Sequence, residues 1–157
     1  MQILEILVIA DQSKLFTDFS AHLPLSPVEQ PDIETYRLEI DADLVLVFYC
    51  VLKEVGRAIN FLENVVPNLS RIIWLLENDS FQALTMPENL QELLNKYDRF
   101  IPSSIILTGE RPKISPVAEE VGTHGFYLDR ESQLFFWKPG DTAGARRIWK
   151  LMWEISE

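Results

Sequence analysis

The turn after the first predicted strand carries Asp11, Ser13 and Lys14, side chains that could contact a phosphate group. In open α/β sheets ligands bind outside the carboxyl ends of the strands, so this turn is the first place to expect a site. A loop that binds a nucleotide phosphate needs glycines, which let backbone N–H groups approach the ligand, and a Lys followed by Ser or Thr. Residues 10–15 contain no glycine, and Ser13 precedes Lys14, so we do not expect an intact nucleotide site.

Two later polar segments are also predicted to follow strands and so to lie at the same edge of the sheet. They are residues 77–79 and residues 108–113. A small molecule could be bound or converted by these loops, and solvated loops without a ligand are the alternative interpretation. The candidate strand-end site comprises Asp11, Ser13, Lys14, Asn78, Asp79 and Arg111.

The other side chains with chemical potential form no catalytic or metal-binding pattern. Cys50 ends a predicted buried strand, where we expect it to pack as a small apolar residue, because a nucleophilic thiol needs a nearby base and an electropositive pocket. His22 and His124 lie far apart in the chain, with no second ligand at metal spacing. The sequence therefore predicts no catalytic residue, no metal site and no cofactor.

The C-terminal section is rich in aromatic residues, which indicates protein binding more than catalysis. The apolar arc of the predicted helix 142–156 spans roughly 200°, wider than the stripe of about 100° that faces a core. Trp and Arg are enriched at the centres of protein interfaces. The alternative is that this helix buries its indoles within its own domain. The candidate interface comprises Phe136, Trp137, Arg146, Trp149 and Trp153.

Strands that alternate with helices must position these residues. Near-continuous apolar runs predict buried strands at residues 3–10, 44–51 and 71–76, and residues 101–109 are predicted as another strand. Residues 33–40 alternate apolar and polar side chains, which predicts a half-exposed edge strand, antiparallel to residues 44–51. Residues 23–31 contain three prolines and are predicted to form a loop. A helix is predicted to begin at Ser13 and to end before residue 23. Further helices are predicted at 53–66, 86–98, 115–122 and 142–156, and residues 125–137 are predicted as two strands or one extended strand.

This order of elements predicts a single three-layer α/β/α domain over residues 1–157, Rossmann-like, with a mostly parallel sheet of five or six strands. The formal net charge of −10 argues against direct binding of nucleic acid, which depends on clustered Lys and Arg. The single cysteine, the absence of a basic leader and the absence of an apolar run near ~20 residues predict a cytoplasmic protein without membrane insertion.

The central part of the chain resembles Ras-like small GTPases. The stretch "DADLVLVFYCVLKEVGRAINFLENV", followed by "RIIWLLENDS", is similar to their central strand–helix–strand. In that family the later strand ends in Asn-Lys-x-Asp, which reads guanine, whereas this chain has residues 77–80, Glu-Asn-Asp-Ser. The glycine-rich phosphate loop is also absent, and no Asp-x-x-Gly motif follows residues 44–51, where the family has its switch motif. The resemblance implies a P-loop-GTPase-like fold that has lost its nucleotide, that is, a pseudo-GTPase.

A second resemblance is to the receiver domains of response regulators. The segment "VIADQSKLFTDF" is similar to their first strand and helix, and "GTHGFYLD" to a late strand. Receivers carry an acceptor Asp at the end of the central strand, where this chain has Phe48, Tyr49 and Cys50. Of the acidic pair that holds magnesium in receivers, Asp11 matches and Gln12 does not. This resemblance implies a pseudo-receiver.

Both resemblances imply a scaffold without its family's chemistry. We therefore expect a non-catalytic interaction or regulatory module that recognises a protein partner. The alternatives are a small-molecule or nucleotide-binding protein or enzyme that uses the strand-end loops, a receiver-like signalling domain without phosphorylation, and a subunit of a larger assembly. The sequence leaves the oligomeric state open.

Overall fold

The computed structural model describes residues 1–31, 33–52, 58–77, 88–96, 101–109 and 133–156. Within them, one seven-stranded sheet packs between helices on its two faces. The elements in chain order are β1 (Gln2–Ala10), α1 (Ser13–Phe19), β2 (Ser26–Val28), β3 (Glu34–Asp41), β4 (Leu44–Leu52), α2 (Ala58–Val65), a 3₁₀ turn (Val66–Asn68), β5 (Leu69–Glu77), α3 (Glu88–Lys96), β6 (Ser103–Thr108), β7 (Gln133–Trp137) and α4 (Thr142–Ser156).

The strand order is β2-β3-β4-β1-β5-β6-β7, with β1 at the centre. Strands β4, β1, β5, β6 and β7 are parallel, whereas β3 is antiparallel to β4 and β2 is antiparallel to β3. Residues 6–10 of β1 and residues 71–76 of β5 are all buried, as expected for strands covered on both faces. The predicted three-layer, mostly parallel α/β fold is confirmed, with seven strands instead of five or six.

The additional strand is β2, which lies in the segment predicted to be a loop. Its residues pair with β3, Ser26 opposite Arg37 and Val28 opposite Thr35. Pro27, between them, has no N–H to donate, a property that confines proline to edge strands. Because β2 occupies the edge of the sheet, the edge position predicted for residues 33–40 is wrong.

The connection from β3 to β4 confirms the predicted antiparallel pair. Only two residues separate the strands, and the Asp41 carboxylate accepts a hydrogen bond from the backbone N–H of Asp43 at 2.7 Å, which favours a tight turn. The register shifts between Glu39 and Asp41. Ile40, predicted on the apolar face, lies at this shift and is 40% exposed.

Side chains on the two faces of β1 enter two different apolar clusters. Leu7 and Ile9 pack with α2 and α3, whereas Ile6 and Val8 pack with α1 and α4. Alternation along a strand gives this division, since successive side chains point to opposite faces. The helices α1 and α4 therefore share one layer.

The range of α4 matches the predicted helix, and α1 begins at the predicted Ser13 and ends at Phe19. At the start of α4, the Asp141 carboxylate accepts the backbone N–H of Gly144 at 2.9 Å, which satisfies a donor that the first turn of a helix leaves unpaired. The predicted helix 115–122 and residues 125–132 lie outside the described residues. Among the helices that the structure describes, none has the length and apolar character required to cross a membrane.

Candidate functional site

The turn between β1 and α1 consists of only Asp11 and Gln12. The backbone N–H of Asp11 donates to the carbonyl oxygen of Leu75 at 3.1 Å. The Asp11 carboxylate accepts the backbone N–H of Glu77 at 2.6 Å. The turn is therefore bound to the carboxyl end of β5 by two hydrogen bonds, one in each direction.

A side-chain contact joins the same two strand ends. The amide of Gln12 donates a hydrogen bond to the carboxylate of Glu77. We call Asp11, Gln12 and Glu77 together the β1–β5 mouth. It is the position at which a doubly wound fold binds its ligand. Here the Asp11 carboxylate accepts the backbone N–H of Glu77, and the Glu77 carboxylate accepts the side-chain amide of Gln12.

Ser13 and Lys14, the other predicted members of the site on this turn, are exposed at the first turn of α1. The helix has seven residues, and Gln12 at its N-cap makes no side-chain capping bond. The structure thus keeps Asp11, Ser13 and Lys14 adjacent, but Asp11 alone is directed into the contacts with β5. Asn78, Asp79 and Arg111 lie outside the described residues.

The ends of β5, β6 and β7 are also tied to one another. The Thr108 hydroxyl, which is buried, donates to the carbonyl oxygen of Leu76 at 3.3 Å. The backbone N–H of Gly109 donates to the carbonyl oxygen of Trp137 at 2.9 Å. Gly109 has a φ of 122°, a conformation that favours glycine, so the chain turns directly at the end of β6.

A small cavity of about 50 Å³ lies beside the β1–α1 turn. It is lined by Val8, Ala10, Ser13, Phe16, Glu34, Cys50, Val51 and Leu52. Burial, and next the carboxylate of Glu34, raise the pKa of the Cys50 thiol. Because the thiolate is the nucleophile, these surroundings suppress the reactivity of Cys50. The cavity is also far smaller than the ~300 Å³ of a typical ligand pocket.

Trp149, a predicted interface residue, lies in the core between α1 and the sheet. It is 8% exposed, and its indole N–H donates to the carbonyl oxygen of Phe19 at 2.9 Å. Its ring lies 5.1 Å from the ring of Phe19 and 5.5 Å from that of Phe48. The alternative prediction, that α4 buries this indole in its own domain, is the correct one.

Trp137, also a predicted interface residue, is buried as well. It is 2% exposed, its indole N–H donates to the carbonyl oxygen of Asp141 at 2.9 Å, and its ring lies 5.1 Å from that of Phe19. The interface prediction is wrong for Trp137 and Trp149, because α1 supplies the apolar surface that covers them.

The remaining interface candidates have different positions. Arg146 is exposed on α4, and its charge adds to burial in lowering the pKa of His22. Phe136 is half-buried and packs against the cluster formed with α2 and α3. The backbone of Trp153 belongs to α4, but its side chain lies outside the described part of the structure.

Two features of the structure are not predicted from the sequence, the contact of Gln12 and the surface between β2 and β3. In the sequence Gln12 is only a mismatch to the acidic pair of receiver domains. Its contact with Glu77 is not predictable because the two residues lie 65 positions apart in the chain. The surface between β2 and β3 carries no motif, because the proline-rich segment predicts a loop. Pro27 within an alternating stretch is the one signal compatible with an edge strand.

Comparison with known proteins bears on the fold. No family model matches the chain, and a search of curated proteins finds no match. Among solved structures, the chain is similar to an ADP-ribosylation factor-like GTP-binding protein, the small COPII coat GTPase SAR1 of Encephalitozoon cuniculi, crystallised in complex with GDP. The TM-score is 0.58 at 14% sequence identity, over 98% of this chain and 77% of the other. The chain therefore has a fold like that of small GTPases, in agreement with the first resemblance seen in its sequence.

Proposed function

We propose that this chain is a non-catalytic protein-interaction or regulatory module on a small-GTPase-like scaffold, a pseudo-GTPase that does not use a nucleotide. The observation that carries the proposal is the β1–β5 mouth. The turn between β1 and α1 has two residues, whereas a phosphate-binding loop spans about eight. The polar groups of the mouth are directed at one another, through the bonds of Asp11 and Gln12 to Glu77.

The charge of the mouth supports the same conclusion. A phosphate held there would approach the carboxylates of Asp11 and Glu77, and like charges a few Å apart repel in a partly buried site. A site that binds phosphate instead presents backbone N–H groups and a Lys. One backbone N–H group at this position, that of Glu77, already donates its hydrogen bond to the Asp11 carboxylate.

A nucleotide titration tests the proposal. We expect GDP, GTP and ATP, each with Mg²⁺, to leave the thermal midpoint of unfolding unchanged and to give no binding heat in calorimetry. A ligand that binds the native state at a concentration of 100 Kd would stabilise it by about 2.7 kcal/mol, which either measurement detects. A small GTPase prepared in its GDP-bound form is the positive control. A saturable rise of the midpoint with any of these nucleotides would contradict the proposal.

The alternative of a small-molecule enzyme receives less support from the described residues. The cavity beside the β1–α1 turn has a volume of only about 50 Å³, and burial and Glu34 keep its thiol protonated by raising the pKa of Cys50. Within the part of the chain that the structure describes, His, Cys, Asp and Glu side chains form no group of three arranged to hold a metal ion. A module that acts through its outer surface fits these features better.

A further inference from the structure

A groove of about 440 Å³ lies along the β2–β3 edge of the sheet, away from the β1–β5 mouth. We call it the hairpin groove. Its volume falls in the range of about 300–1,000 Å³ that is typical of binding pockets. The residues that line it are Pro27, Val28, Glu29, Gln30, Pro31, Ile33, Glu34, Thr35 and Tyr36.

The groove combines apolar and polar side chains at the edge of the sheet. Ile33 and Thr35 are buried, and Val28 and Tyr36 are half-buried. Because successive side chains of a strand point to opposite faces, Thr35 and Tyr36 line the groove from different faces of β3. Glu29, Gln30 and Glu34 are exposed, and apolar groups next to exposed polar ones are usual in a protein-binding surface.

The charge of the groove is of one sign. Among the described residues that line it, Glu29 and Glu34 are charged and none is basic. Arg37, the next residue on β3, pairs instead with Glu39 at 3.3 Å. The whole chain carries a net charge of −10, so the surrounding field adds to that of the groove. Charge complementarity therefore calls for a cationic occupant.

Tyr36 favours arginine over lysine as the cation. Its ring lies 5.8 Å from the ring of Phe16, which holds it in place at the side of the groove. A planar guanidinium stacks on an aromatic face and also donates two parallel hydrogen bonds to a carboxylate. Tyr36 and the neighbouring Glu34 offer both kinds of contact.

The edge itself is poorly suited to accept another strand. β2 has three residues, and Pro27 at its centre has no N–H group, which removes a donor that a further strand would need. Side chains, and not the backbone, must then provide recognition. We propose that the hairpin groove binds an arginine-bearing segment of a protein partner. This inference rests on the proposed function, because it assigns the binding surface of that module.

A charge-neutralising double variant tests the inference. The probe is a fluorescein-labelled peptide of about ten residues in which arginine alternates with glycine, and binding is followed by fluorescence anisotropy. In Glu29→Gln/Glu34→Gln we expect the Kd of the full-length chain for this peptide to rise about tenfold. Both residues are exposed, so the fold should be retained, which the thermal midpoint verifies.

A matched control separates the groove from the overall charge. Glu88→Gln/Glu92→Gln removes the same number of charges from exposed positions on α3, and we expect its Kd to equal that of the wild type. Equal weakening in both double variants, or no binding of the peptide to the wild type, would overturn the inference. Neither of these results affects the nucleotide titration, so the failure of the inference and the failure of the proposed function are distinguishable.

Discussion

At the scale of single residues, the aromatic side chains that attract attention in the sequence stabilise the fold. Trp137 and Trp149 each donate the indole N–H to a backbone carbonyl of their own domain. Cores and interfaces both bury aromatic rings and pair the indole N–H. A tryptophan in a core and a tryptophan in an interface therefore give the same composition and helical spacing. Here the position of α1 shows that Trp137 and Trp149 belong to the core.

Trp149 should contribute strongly to stability. We expect Trp149→Ala to lower the free energy of unfolding by about 3–5 kcal/mol, because it leaves a cavity among Phe16, Phe19 and Phe48. Urea denaturation followed by far-UV circular dichroism measures this loss. The exposed neighbour Arg146 provides the control, since Arg146→Ala should change the same quantity by no more than about 0.5 kcal/mol. Equal effects of the two substitutions would show that Trp149 is not a core residue.

Cys50 should make stability depend on alkaline pH. Burial and the Glu34 carboxylate raise the pKa of the Cys50 thiol in the folded state. In the unfolded chain the pKa of a thiol is about 8.5. Above that pH the unfolded state releases a proton that the folded state retains. This contribution to stability is therefore complete below about pH 8.5 and is lost progressively as the pH rises.

The measurement is the free energy of unfolding between about pH 8 and 9, below the ordinary pKa of tyrosine, which is about 10. We expect Cys50→Ser to make its decline shallower, by up to about 1 kcal/mol per pH unit. The comparison uses the slope and not the absolute stability, so a uniform loss caused by the substitution does not affect it. Identical slopes for the two proteins would contradict the role given to Cys50.

At the scale of elements, the short turn between β1 and α1 decides what the mouth of the sheet can do. Two residues bring α1 directly against the sheet, where Leu15, Phe16 and Phe19 are all buried. A longer glycine-containing loop would move the helix away and leave room for a phosphate. The lack of glycine in residues 10–15 predicts that the turn has no room for a phosphate. The hydrogen bonds of Asp11 and Gln12 to Glu77 depend on the position of β5 beside β1, which the sequence does not show.

Asp11 should therefore act as a structural residue at this turn. We expect Asp11→Ala to lower the free energy of unfolding by about 2 kcal/mol, because the backbone N–H of Glu77 loses a charged acceptor. Asp11→Asn should cost less, since its amide oxygen can still accept that bond. Thermal and urea unfolding of the variants measure the difference.

Asp18, exposed near the end of α1, is the control position for this series. Asp18→Ala should leave stability within about 0.5 kcal/mol of the wild type. The structural role of Asp11 would be refuted if Asp11→Ala were as stable as Asp18→Ala.

The edge strand β2 shows a different relation between sequence and structure. Proline and the lack of a long apolar run predict a loop over residues 23–31. Pairing with β3 overrides this local preference at Ser26–Val28, and Pro27 is tolerated because one side of the strand has no neighbouring strand in the sheet. The hairpin groove exists as a consequence of that pairing.

At the scale of the whole molecule, the proposed binding role agrees with the charge of the chain. The topology is like that of small GTPases, and in the mouth at the centre of the sheet Asp11 and Gln12 form hydrogen bonds with Glu77. The acidic surface, with a net charge of −10, favours a cationic partner at long range and at contact. On this basis a binding role at the rim of the sheet is a better hypothesis than chemistry at its centre.

The sequence by itself determined the order of the elements and the buried strands. Residues 3–10, 44–51 and 71–76 are apolar except for Glu5 and Arg71, and such local runs predict strands covered on both faces whatever the neighbours are. The absence of glycine from residues 10–15 and the order of Ser13 and Lys14 are also local features. The sequence alone therefore predicts that a phosphate-binding loop is absent.

The tertiary structure alone decided which of the candidate residues are available for binding. The indole of Trp149 finds its acceptor 130 positions away, Asp11 finds its donor 66 positions away, and β2 becomes a strand only beside β3. Burial and hydrogen bonding between distant segments depend on how the layers pack, and a periodic pattern within one segment does not encode its partner.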